Sequence, residues 1–96
     1  MPTLNNADAD ARLRELNGWT REGDAIRKQF VFKNFPEAVA FVSRLVPGAE
    51  AADHHPDVAI NYKRVTLTYS THSEGGLTPK DFEGARMADG VATSSD

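Results

Sequence analysis

From Arg64 to Thr71 the chain alternates without a break, with Val65, Leu67 and Tyr69 falling on one side and Thr66, Thr68 and Ser70 on the other. Period two is strand geometry, and a strand divided in this way has one face for a core and one that tolerates water. The segment therefore commits the chain to a sheet covered chiefly on one side. Val58 to Ile60, followed by a turn near Asn61 to Lys63, supplies an antiparallel partner. Upstream, Trp19 to Glu22 and Ala25 to Phe32 flank Gly23-Asp24 and read as a second pair, with Ile26, Phe30 and Phe32 sharing a face. Lys28 interrupts that face as an edge or snorkelling lysine, with an active-site cation as the alternative.

Three helices surround these strands. Asp8 to Asn17 carries Ala11, Leu13 and Leu16 among charged residues, and Gly18 follows as a stop. Asn34 and Glu37 form a capping box with Pro36 in the first turn. Ala38, Phe41, Val42, Leu45, Val46, Ala49 and Ala52 then continue one stripe, which predicts a long helix disturbed near Pro47-Gly48; the alternative is an end there, with Ala49 to Asp53 as a separate turn. Thr78-Pro79-Lys80-Asp81 opens the last helix, with Phe82, Ala85, Met87 and Ala88 as its apolar face. The order helix, strand, strand, helix, strand, strand, helix predicts an α+β domain: a four-stranded antiparallel sheet with three helices packed on one face. Val31 and nearby aromatic residues could support an oligomer contact on the other face.

At 96 residues the chain is expected to be a single domain over 1–96, with 1–7 and 93–96 fraying. A formal net charge of -3, with both signs mixed throughout, gives no electrostatic footprint for a phosphate backbone, so direct nucleic-acid binding is not expected. No apolar run approaches the roughly 18 residues of a membrane span, and Met1 to Asp10 lacks a secretion signal, so a cytoplasmic location without membrane attachment is expected. With no cysteine in the sequence, disulfides, thiolate metal sites and a cysteine nucleophile are excluded.

All three histidines fall near one junction: His54 and His55 before the third strand, His72 after the fourth. Hairpin pairing of those strands lays the start of one beside the end of the other, gathering three distant imidazoles at one sheet end. Pro56 restricts His55 to extended backbone. Glu50 and Asp53 lie close enough in sequence to orient an imidazole or raise its pKa, and such a site could exchange protons near neutrality. Zinc held by three imidazoles is an alternative, disfavoured because adjacent histidines rarely aim both rings at one ion. Asp81 reads as a cap and Glu50 equally as a solvated helix residue. Trp19 reads as packing, with stacking on a flat heterocycle as its functional alternative.

Glu50, three residues, His54-His55-Pro56, five residues, Tyr62, nine residues, His72, eight residues and Asp81 form a spaced pattern that resembles the signature of the pterin-4a-carbinolamine dehydratases. The likeness extends through Gly18-Trp19, Lys28-Gln29-Phe30, Phe32-Lys33, Ser70-Thr71-His72 and Gly76-Leu77-Thr78. It implies the same α+β fold, homodimers or homotetramers, and no cofactor or metal. It implies dehydration of 4a-hydroxytetrahydrobiopterin, the product of aromatic amino-acid hydroxylases, to quinonoid dihydropterin. Carried onto this sequence, it makes His54 and His72 the acid and base and His55 chiefly a substrate holder. Asp53, Ser70, Thr71 and Ser73 would line the pocket, with Glu50, Trp19 and Asp81 in support. Relatives frequently carry an acidic residue at position 73 and tryptophan at 58, where this chain has Ser73 and Val58; the latter bears on the pocket rim. Because animal relatives also serve as dimerisation cofactors of a homeodomain transcription factor, a non-catalytic interaction role is the principal competitor. An accessory role in molybdopterin metabolism is a third reading.

Overall fold

Val65, Leu67 and Tyr69 are all fully buried, as their alternation requires. They belong to a central strand of the computed structural model, which describes residues 3–93. Along the chain run α1 (Asn6–Leu13), β1 (Thr20–Glu22), β2 (Ala25–Val31), α2 (Phe35–Ala52), β3 (Asp57–Asn61), β4 (Arg64–Tyr69), a short 3-10 turn (His72–Glu74) and α3 (Pro79–Thr93). The strands form one antiparallel sheet in the order β1-β2-β4-β3. Ile26 pairs with Tyr69 and Phe30 with Val65, so the apolar residues of β2 and β4 share the face on which the helices pack. Asp57 pairs with Thr68, which lays the start of β3 beside the end of β4. This is the expected α+β architecture, and it gathers the histidine-bearing segments at one sheet end.

α2 starts as its capping box requires, with Asn34 Oδ1 accepting the Glu37 N–H at 3.0 Å. It is the long helix expected and runs through Pro47 to Ala52, so the alternative of an end at Pro47-Gly48 does not hold. Proline inside a helix costs about 3 kcal/mol. Pro47 sits on the exposed side, where the carbonyl it leaves unpaired can be hydrated. Burial of Phe41 and Leu45 on the opposite side, about 1.5–3 kcal/mol each, outweighs the loss. Gly48 faces α3, where a Cβ would stand 1.9 Å from Met87 Sδ. Val46 and Ala52, expected within the buried stripe, are exposed. The stripe is wider than the sheet that covers it, because β3 is an edge strand.

α1 begins at Asn6, two residues before the expected start, because Asn5 Oδ1 accepts the Asp8 N–H at 2.8 Å. It ends at Leu13 rather than Asn17, and the chain unwinds towards Gly18, whose φ is 83°. Within the segment 1–7, expected to fray, Leu4 N–H donates to Leu77 O at 2.8 Å, and Ala9 of the helix that follows is buried. Residues 1–2 and 94–96, also expected to fray, lie outside the described residues. In α3, Phe82, Ala85 and Ala88 are fully buried and Met87 packs against the core, as their spacing indicates.

Candidate functional site

α2 ends on Asp53, a left-handed residue with φ 52° whose N–H returns to Ala49 O and Glu50 O. That reversal, followed by Pro56, turns His54 and His55 away from each other. His54 points inward. Its Nε2 lies 2.6 Å from Asp81 Oδ1, with side chains 11% and 0% exposed respectively. The second carboxylate oxygen, Asp81 Oδ2, accepts from Thr71 Oγ1 at 2.9 Å and from the Thr78 N–H at 3.0 Å. Because Thr71 has given its one hydroxyl proton to Asp81, its oxygen accepts from Thr78 Oγ1 at 2.8 Å. Asp81 is therefore both the cap of α3 and the partner of His54. An ionised Asp81 fixes the proton of His54 on Nε2 and leaves Nδ1 as the basic nitrogen.

His55 points outward. Its Nε2 lies 2.5 Å from Glu50 Oε2, and both side chains are more than half exposed. His72 opens the 3-10 turn, exposed, with its Nε2 3.1 Å from Ser70 Oγ. The sheet end thus gathers all three histidines, and among the described residues each lines a different cavity. His54 borders a cavity of about 390 Å³ with Ala52, Lys80, Glu83, Gly84 and Met87. His55 borders one of about 180 Å³ against α2 and β3, and His72 one of about 260 Å³ with Asp24, Ser70, Thr71 and Gly76. Thr71 links two of these surroundings, bonded to Asp81 through its side chain and to His72 through the backbone. No group of three histidine or acidic side chains close enough to hold a metal ion occurs among the described residues.

The other expected site residues divide. Asp53 is exposed at the end of α2, Ser73 is exposed in the 3-10 turn, and Glu50 holds His55. Trp19 is only 5% exposed and offers no free face to a ligand. It packs on Phe30 and Tyr69, and its Nε1–H is directed at both carboxylate oxygens of Asp89, at 3.2 and 3.1 Å. Lys28 is the snorkelling residue expected: its Nζ donates to Asn17 O and Asp89 Oδ1, both at 2.9 Å, above the ring of Phe30. Sequence reasoning assigned Tyr69 to the core and missed its contact with His54, whose ring it stacks against at 6.0 Å and 23°. Burial, then the charge of Asp81, pushes the Tyr69 phenol up to about 12. Its position on β4 directly before Ser70-Thr71-His72 was the available signal.

A family model described as pterin 4 alpha carbinolamine dehydratase matches residues 2–91. A relative from Roseiflexus castenholzii, provisionally named a pterin-4-alpha-carbinolamine dehydratase, is 51% identical over 88 residues, covering 92% of this chain and 95% of its own. One from Sulfolobus acidocaldarius with the same provisional name is 49% identical over 83 residues, covering 86% and 91%. A crystal structure from Brucella melitensis, titled transcriptional coactivator/pterin dehydratase, superposes with a TM-score of 0.90 at 37% identity over 94% of this chain and 98% of that one. A pterin dehydratase-like protein described as a RuBisCO assembly factor shares the fold at a TM-score of 0.64 and 21% identity, over 79% and 88%. The chain belongs to the pterin-4a-carbinolamine dehydratase family.

Proposed function

We propose that this chain dehydrates pterin-4a-carbinolamine to quinonoid dihydropterin by histidine acid–base chemistry, without a metal or cofactor. The observation that carries the reading is the pair of part-buried His54 with buried Asp81, tied through Thr71 to the turn that bears His72. The reaction protonates the 4a-hydroxyl, breaks the C4a–O bond, forms C4a=N5 and takes the proton from N5. One imidazolium and one neutral imidazole suffice for both transfers. His54, through Nδ1, and His72 take these roles, while His55, held by Glu50, binds the substrate. Asp53, Ser70 and Ser73 surround the same strand end as substrate contacts. The Thr71 hydroxyl is committed to Asp81, so it acts by holding that carboxylate.

On this reading the protein acts in the cytoplasm on the 4a-hydroxytetrahydrobiopterin that an aromatic amino-acid hydroxylase releases, and its quinonoid product needs a separate two-electron reductant before a hydroxylase can use it again. It works as a homodimer or homotetramer, to which the exposed apolar side chains of α2 and β3, Phe35, Val39, Val46, Val58 and Ile60, are suited. The same apolar strip supports a second reading, a protein-interaction role, in line with the coactivator title of the Brucella structure. Steady-state kinetics on single variants tests the enzymatic reading. His54→Ala and His72→Ala lower kcat by about 100-fold, within the range for a lost acid or base, whereas His55→Ala mainly raises KM. Equal losses of affinity in all three would overturn the division of roles.

A further inference from the structure

Tyr69 is fully buried, yet its hydroxyl has no hydrogen-bond partner among the described residues. Burying an unpaired hydroxyl carries a desolvation penalty that phenylalanine would avoid, so the ring rather than the hydroxyl accounts for the packing. One side of that ring meets His54 at 6.0 Å and 23°, and Trp19 packs against it at 5.9 Å and 48°. Trp19 is in turn anchored by its indole N–H on Asp89. On α3 the phenol occupies space that exists only because residue 84 is glycine: a Cβ there would stand 2.5 Å from Tyr69 Cε1 and 2.8 Å from Cζ. Gly84 also borders the cavity of His54. Tyr69 and Gly84 are thus matched in size at the wall of the candidate site.

The Asp81 hydrogen bond fixes one atom of the His54 ring, Nε2, at 2.6 Å. A single point leaves the ring free to tilt about that contact, and tilt decides where Nδ1 aims. A stacked ring fixes a plane. We infer that Tyr69, seated against Gly84, is a positioning residue that sets the tilt of His54 and hence the direction in which Nδ1 presents or takes a proton. The inference rests on the proposed dehydratase reading only for its effect on turnover; the orientation of His54 is a property of the unliganded chain. Small errors in aiming a reacting group are costly, about 100-fold for a misplacement of 1 Å.

The test compares Tyr69→Phe, Tyr69→Leu, Gly84→Ala and the Tyr69→Leu/Gly84→Ala double variant in the full chain. The ring-proton resonances of His54, assigned by their loss in His54→Ala and corrected for the ring current of residue 69 so that a remaining shift reports a change of tilt, are followed without substrate, beside thermal unfolding, kcat and KM. Tyr69→Phe keeps the stack and leaves the resonances and kcat close to the parent. Tyr69→Leu removes the stacked ring, shifts the His54 resonances and lowers kcat by about 10-fold with KM changed less than about twofold. Gly84→Ala displaces the ring and does the same, while the double variant regains stability relative to Gly84→Ala, because leucine leaves room for the added methyl. His54 resonances unmoved in a folded Tyr69→Leu protein would reduce Tyr69 to core filling and overturn the inference. Shifted resonances in a chain that does not dehydrate the carbinolamine would uphold the positioning of His54 and overturn the dehydratase reading instead.

Discussion

Two neighbouring histidines make nearly the same contact in opposite surroundings. His54 Nε2 lies 2.6 Å from Asp81 and His55 Nε2 lies 2.5 Å from Glu50. Asp81 is fully buried and its other oxygen holds two further donors, whereas Glu50 is 68% exposed on the surface of α2. Water screens the outer pair and competes for both partners, so it contributes little to stability. The inner pair is far less hydrated, with Asp81 fully buried and His54 11% exposed, so each of its partners depends on the others. Separation alone therefore does not rank the two contacts. Burial and the number of groups satisfied at once make His54 a fixed device and His55 an adaptable one, which matches a proton-transfer role for the first and a holding role for the second.

The comparison breaks most visibly at Asp81. Asp81→Ala leaves the Thr71 hydroxyl and the Thr78 N–H without their acceptor and strips His54 of its partner, a loss of about 3–5 kcal/mol. Denaturant titration should show it, with kcat falling alongside; a loss below about 1 kcal/mol would place Asp81 on a par with a surface pair. The next effect is alkaline. Tyr69 rises from 10.0 in the unfolded chain to about 12 in the folded one. Its protonated form is thus favoured by folding, so its contribution is fully present below pH 10 and is lost as pH climbs to 12. The loss is about 3 kcal/mol, and Tyr69→Phe should remove that component when unfolding is measured across the window. An unchanged alkaline profile in Tyr69→Phe would show that the phenol ionises as freely in the fold as out of it. The smallest effect belongs to Glu50→Ala, with under about 1 kcal/mol of stability lost. KM should rise with kcat retained; a kcat loss as deep as that of Asp81→Ala would erase the distinction between the two pairs.

Much of this arrangement was legible in the chain because it is local. The alternation of Val65, Leu67 and Tyr69 fixes which face of β4 is buried, and hairpin geometry then gathers His54, His55 and His72 at one end. The capping role of Asp81 was equally legible, since Thr78 is three residues away. Its bond to His54 was not, because a partner 27 residues distant depends on how α3 crosses the end of α2. The length of α2 was expected, but whether it passes Pro47 could not be decided from sequence, which shows the missing amide and not the buried Phe41 and Leu45 or the fit of Gly48 under Met87. Trp19 carried the right chemistry for stacking on a ligand, yet only the packed structure reveals that its neighbours are Phe30 and Tyr69 and that it reaches His54 through the latter. Likewise, sequence convergence of three histidines did not reveal that each ring borders a separate cavity.

The central claim is tested most directly by following freshly generated 4a-hydroxytetrahydropterin with the purified, chelator-treated protein, beside a folded His54→Ala/His72→Ala variant. The account predicts rapid loss of the carbinolamine with the parent protein and a rate near that of buffer with the double variant. No acceleration by the parent, or equal acceleration by both, would contradict histidine-driven dehydration and shift the role of the chain to its exposed apolar surface.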